Sequence, residues 1–156
     1  MKKIVECVPN FSEGRDHHVI RQITDAIESV QDVELLDVDP GASTNRTVVT
    51  FIGSPEAVAE AAFQAVSTAA RVIDMRRHEG EHARFGATDV CPFVPVAGVD
   101  MDECVAIARS VGRRIGEELG IPVYLYEHAA SKPARRNLAD VRGGEYEGLA
   151  EKLAKA

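Results

Sequence analysis

The chain has 156 residues, 45% of them hydrophobic, and carries 18 Lys and Arg against 25 Asp and Glu, a net charge of −7. This is enough for one globular domain burying about two-thirds of its unfolded surface. Acidity without interleaved aromatic and basic residues argues against nucleic acid as a partner. No apolar run approaches the ~20 residues of a membrane span, and Met1-Lys2-Lys3-Ile4-Val5 lacks a signal-peptide core, so a cytoplasmic protein is expected.

Lys3 to Val8 reads as a first strand stopped by Pro9, and Asn10-Phe11-Ser12-Glu13-Gly14 as a polar turn. Ser12 or Asp16 caps a helix in which Val19, Ile23, Ala26 and Val30 recur at helical spacing. Val33–Asp39 and Thr47–Ile52 predict a hairpin turning at Pro40-Gly41-Ala42-Ser43. Ser54 caps a second helix with Pro55 in its first turn and a face of small residues, fading near Asp74 to Arg77. Val90 to Val96 is a strand whose prolines, Pro92 and Pro95, mark it as an edge or an irregular one. Asp100 or Asp102 caps a third helix that Gly120 ends. Pro122–Tyr126 predicts a short fifth strand, and Ser131–Leu138 and Glu145–Lys155 predict terminal helices. The first six elements run β-α-β-β-α-β, predicting an α+β, ferredoxin-like split βαβ sandwich extended by the third helix, the fifth strand and the C-terminal helices.

The densest cluster of titratable groups runs from Arg77 to Phe93, two histidines, two arginines and three acids around Gly80 and Gly86. With Arg76, Arg46 and an apolar segment behind it, such a loop on an acidic protein suits a small anionic ligand. His78-Glu79-Gly80-Glu81-His82 satisfies H-E-x-x-H, with Glu103 downstream as a third ligand for zinc. Gly80 in the middle counts against the continuous helix a zinc hydrolase needs, at ~1 kcal/mol relative to Ala. The other chemistry is general-base catalysis by one neutral imidazole. Arg77 and Arg84 disfavour the imidazolium while Glu79 and Glu81 favour it, so the balance stays open. Solvated charges without a role are the plain structural alternative.

A second polar cluster, Asp37 to Arg46, lies at the hairpin tip. Turn chemistry explains most of it, but the planar guanidinium of Arg46 also matches a carboxylate or a pterin edge. Asn10 and Ser12 read equally as turn formers and as ligand contacts. His17, His18 and His128 read as surface or capping residues, and Tyr124 and Tyr126 as core. Cys7, Cys91 and Cys104 are odd in number and far apart, which favours buried free thiols over disulfides or structural zinc.

Taken together, Val5–Gly14, Leu36–Asp39 with Ser43–Thr47, the His78–Phe93 block, Val123–Tyr126 and Gly144–Glu147 resemble the formiminotransferase family over nearly the whole chain. The resemblance implies transfer of a formimino group from N-formimino-L-glutamate to tetrahydrofolate, a step of histidine degradation and one-carbon metabolism, with no metal. It places the general base at His82 and implies substrate contacts from Asn10, Ser12, Asp39, Asn45, Arg46, Arg84 and Gly86. It further implies two ferredoxin-like subdomains with ligands between them, of which residues 1–156 resemble the first. The expected partner is therefore a second subdomain, or a second copy of the chain in a homodimer. A non-catalytic self-associating half-domain is the alternative. His82-Ala83-Arg84 departs from the family's usual His-Pro-Arg, so the loop lacks the φ restraint of a proline.

Overall fold

An antiparallel sheet carries three helices in this computed structural model, which describes residues 2–75 and 86–130. The first strand is built in two pieces, β1 (Ile4–Cys7) and β2 (Asn10–Phe11). Pro9 interrupts it because a proline has no N–H for the ladder. The interruption is local. Against β4 (Arg46–Gly53), Cys7 opposes Phe51 and Asn10 opposes Val48 in one unbroken register. The amide of Val49 still reaches the Pro9 carbonyl at 3.0 Å. The expected turn therefore starts after Phe11, two residues later than the proline suggests.

The hairpin partner β3 (Val33–Gly41) lies at the sheet edge, bound among the described residues to β4 alone, which is where Pro40 is tolerated. Its pairing continues to Gly41 opposite Arg46, so the turn lies two residues further on than expected and occupies residues 42–45. On the other side, β5 (Thr88–Val90) pairs with β2 and β6 (Phe93–Ala97) pairs with β1. Cys91-Pro92 separates them, as Pro9 separates their partners. The predicted irregular edge strand is thus two short strands, with every pairing in the sheet antiparallel.

Strand alternation sends Val5, Cys7, Phe11, Val49 and Phe51 to one face, where all are buried. The helices cover that face. In α1 (His17–Glu28) Ile20, Ile23 and Ile27 recur at helical spacing and are buried, and Asp16 caps the helix by accepting from the amides of His18 and Val19. In α2 (Pro55–Val72) the buried residues are mostly alanines, which lets this central helix lie close to the sheet between its neighbours. Ser54 caps it, with Pro55 in the first turn as expected. Helix α3 (Met101–Arg114) is capped by Asp100, whose carboxylate accepts from the Glu103 amide at 2.8 Å. It continues into a π-helical turn (Ile115–Leu119) and stops at Gly120, whose φ of 67° is left-handed. Arg114 ties α3 to α2, stacking 3.6 Å from the Phe63 ring centre and pairing with Glu60 and Glu118.

The short fifth strand expected at Pro122–Tyr126 is not formed; that segment is irregular, followed by a 3-10 turn at Glu127–Ala129. The physical reason is visible in α3. Gly112 has no side chain, and the space a Cβ would take lies 3.3 Å from Val123 and 3.5 Å from Leu125. These apolar residues pack on the helix instead of joining a strand edge. The predicted terminal helices at Ser131–Leu138 and Glu145–Lys155 lie outside the described residues.

Candidate functional site

The residues singled out at the N-terminal turn and the hairpin tip converge. Asn10 and Arg46 both project from the sheet face opposite the helices, and the Arg46 guanidinium donates to the Asn10 side-chain oxygen at 2.9 Å. Asp39, Val48, Asn10 and Val90 form one row across the sheet through β3, β4, β2 and β5. Asp39 is exposed at the edge of that row and Arg46 is half-buried. A guanidinium, an amide and a carboxylate thus share one surface, and the Asn10 amide nitrogen also donates to the Val8 carbonyl at 3.2 Å.

Ser12 and Asn45 have a different place. Ser12 is only 3% exposed, and its hydroxyl donates to the Gly86 carbonyl at 2.7 Å while its amide reaches the Ala87 carbonyl at 2.8 Å. Asn45 is 7% exposed with a left-handed φ of 52°, and its side-chain oxygen accepts from the Gly14 amide at 2.9 Å. Both side chains spend polar capacity inside the protein. Ser12 clamps Gly86 and Ala87, just ahead of β5, to the Asn10–Gly14 turn, and Asn45 clamps that turn to the hairpin. Gly86 is half-buried and takes part through its backbone; the nearest atom a Cβ would meet is the Thr88 carbonyl oxygen at 3.7 Å.

Two further residues complete the turn. Thr47, fully buried in β4, donates its hydroxyl to the Glu13 carbonyl. Gly14 sits where a Cβ would be 2.2 Å from the Gly41 carbonyl oxygen and 2.5 Å from the Arg46 nitrogen, so only glycine fits. Neither stands out in sequence, because a threonine in a strand and a glycine in a turn are ordinary. His82 and Arg84, with Arg76, Arg77 and His78, lie outside the described residues. His17, His18 and His128 are exposed, in keeping with surface roles. Among the described residues, no group of three or more His, Cys, Asp or Glu side chains is placed to hold a metal ion, and no helix is long and apolar enough to cross a membrane.

A cavity of about 960 Å³ opens on the helix side, between the end of α2, the β5–β6 connection, α3 and residues 121–129. Of the predicted contacts among the described residues it includes Gly86 alone. Its lining is mainly apolar, and the buried Thr88 hydroxyl in it has no hydrogen-bond partner among the described residues. Tyr124 and Tyr126, expected in the core, are half-buried and line it too.

Residues 4–156 match the formiminotransferase domain, N-terminal subdomain. The chain belongs to the formiminotransferase family. It is 58% identical over its whole length to formimidoyltransferase-cyclodeaminase of Rattus norvegicus, where it covers 29% of that protein. It is 52% identical over 98% of its length to glutamate formimidoyltransferase of Streptococcus pyogenes and 51% identical over 96% to that of Thermoplasma acidophilum. The chain spans 51% and 50% of those two proteins, about half of each. It therefore corresponds to the N-terminal subdomain of a family of enzymes.

Proposed function

We propose that this chain is the N-terminal half of the site that transfers a formimino group from N-formimino-L-glutamate to tetrahydrofolate, with His82 as general base. The observation that carries the reading is the 52% identity, over nearly the whole chain, to a protein named glutamate formimidoyltransferase. The Asn10–Arg46 pair and Asp39 on one sheet face support it, since guanidinium, amide and carboxylate suit the carboxylates and pterin edge of these substrates. The Ser12–Gly86 clamp supports it as well, because it anchors the chain four residues after His82.

The chemistry needs a base before it needs anything else. A neutral His82 accepts the proton of the pterin N5 as that nitrogen attacks the amidine carbon. The tetrahedral centre then collapses by breaking the bond to the glutamate nitrogen, which takes a proton back from the imidazolium. Arg46 and Arg84 hold carboxylates, and holding both substrates in reach supplies much of the rate.

We infer the ferredoxin-like arrangement for the fold. Counting β1 with β2 and β5 with β6 as single strands gives the order β-α-β-β-α-β along the chain and 4-1-3-2 across the sheet, all antiparallel, which supports it. The face opposite the helices exposes Leu36, Val94 and Val96 at 50%, 39% and 54%. We take this as the surface that a second subdomain, or a second copy of the chain, covers. A monomeric mass at micromolar concentration in sedimentation equilibrium refutes the homodimer.

The test of function measures formimino transfer by the chain alone, by the chain mixed with the C-terminal half of a relative, and by both with His82→Ala. Transfer by the mixture is expected, with His82→Ala lowering kcat by about 10²- to 10⁴-fold. An unchanged kcat in His82→Ala removes the base from the mechanism, and no transfer by the mixture removes the reaction.

A further inference from the structure

The two proline interruptions face each other across the sheet, and a pair of thiols lies beside them. Val8 donates to the Pro92 carbonyl at 3.3 Å, Cys7 opposes Phe93 and Asn10 opposes Val90. This register sets Cys91 opposite Pro9, on the same face as Cys7 and diagonal to it. Diagonal neighbours on adjacent strands are usually too far apart to bond. Here the two sulfurs are 3.6 Å apart, in van der Waals contact, and both cysteines are free.

We propose that Cys7 and Cys91 are a redox-active pair that closes into an intramolecular disulfide when the protein meets a peroxide, cross-linking the first strand to the β5–β6 connection. The inference rests on the strand register and the sulfur contact alone, and stands whether or not the chain transfers formimino groups.

The two sulfurs differ in access. Cys7 is fully buried, and burial together with the neighbouring Cys91 pushes its thiol well above the ordinary range, so it is not the first to react. Cys91 is half-buried and lines the cavity through which a small oxidant arrives. Hydrogen peroxide oxidises Cys91 to the sulfenic acid, releasing one water. The Cys7 sulfur then attacks the Cys91 sulfur. The S–S bond forms as the S–O bond breaks, and the departing hydroxide takes the Cys7 proton as a second water. Two thiols are oxidised and one peroxide is reduced to two waters.

The place matters mechanically. Pro92, whose carbonyl takes the Val8 amide, has no N–H to give in return, so the two strands share one hydrogen bond fewer here than a regular ladder would. A covalent link at this point fixes the β5–β6 connection, and a short movement of Cys91 is enough to bring the sulfurs to bonding distance.

The test exposes the folded 156-residue chain to hydrogen peroxide, quenches it, unfolds it and counts free thiols, with peptide mass spectrometry to locate any link. The expected result is a fall from three thiols to one, a Cys7–Cys91 linked peptide two hydrogens lighter than its parts, and recovery of three thiols with dithiothreitol. In Cys104→Ala the same link forms, whereas in Cys91→Ala both remaining thiols survive the treatment. Three surviving thiols, a link to Cys104, a link between chains, or sulfinic acid at Cys91 beside an intact Cys7 thiol each overturns the proposal.

Discussion

Replacing Gly14 by alanine tests the packing of the turn that carries Asn10 and Ser12. The added Cβ would lie 2.2 Å from the Gly41 carbonyl oxygen, 2.5 Å from the Arg46 nitrogen and 2.8 Å from the Arg46 oxygen. All three are backbone atoms of the last paired residues of the hairpin, so no side chain can swing away. Restoring an ordinary 3.4 Å contact from 2.2 Å takes about 1.2 Å of backbone displacement (3.4 − 2.2). That shift parts the Gly14 amide from Asn45 and loosens the Thr47–Glu13 bond. Overpacking costs about 1–3 kcal/mol and a lost buried hydrogen bond about 1 kcal/mol more. The expected loss is about 3 kcal/mol, or a Tm lower by roughly 6–12 °C for a chain of this size. Thermal and urea unfolding followed by circular dichroism measure it. Gly120→Ala is the comparison, because Gly120 has a left-handed φ but nothing within 4 Å of an added Cβ. It should lose only about 1 kcal/mol. A Gly14→Ala variant as stable as Gly120→Ala refutes the close-approach argument.

Four other outcomes are expected. Asn45→Ala strains a left-handed residue and orphans the Gly14 amide, for a loss of about 3 kcal/mol in urea unfolding, while Asn45→Asp retains both features and loses less than half as much. Thr47→Val keeps the volume but leaves the Glu13 carbonyl without its donor, and should cost about 1–3 kcal/mol where Thr47→Ser costs less. Arg46→Lys removes the planar fork that meets Asn10 and should raise the KM for tetrahydrofolate about tenfold in the reconstituted reaction; an unchanged KM takes Arg46 out of the site. Bonds from Gln64 and Arg114 hold the Glu60 carboxyl below its usual range, so its contribution is present above the ordinary carboxylate value near ~4.3 and is lost as pH falls through the lowered one. The pair is more than a third exposed, so Glu60→Gln should cost no more than about 1 kcal/mol at neutral pH, less in high salt, and less still as pH falls through the lowered value.

Helix starts were legible because their signals are local. Asp16, Ser54 and Asp100 each cap where an oxygen-bearing side chain precedes an amphipathic run, and Gly120 stops α3 where the left-handed residue belongs. The prolines were legible as interruptions but misleading as ends. Pro9 lacks an amide, yet its carbonyl still receives the Val49 amide, so the strand resumes in register beyond it. Nothing local separates a proline that ends a strand from one that breaks it for two residues. Pro122–Tyr126 misled for another reason. Its alternating aliphatic and aromatic residues satisfy a strand pattern, and only the distant Gly112, which opens a groove on α3, decides that they pack on a helix.

The same division between local and distant causes runs through the candidate site. Asn10, Asp39 and Arg46 were legible as polar groups in turn-rich segments, and β-sheet register alone brings them to one face. Ser12 and Asn45 were legible by type and not by direction, since the acceptor of Ser12 lies 74 residues away at Gly86 and the donor to Asn45 lies 31 residues back at Gly14. Buried, and bonded to backbone, these two act by setting where the turn and the backbone at Gly86 stand. That divides the residues around the turn and the hairpin in two. Arg46, Asn10 and Asp39 present groups on the sheet face opposite the helices, whereas Ser12, Asn45, Thr47 and Gly14 hold the backbone that presents them. Substitutions in the second group should therefore lower stability and activity together, while substitutions in the first group should lower activity in a chain that unfolds at its original temperature.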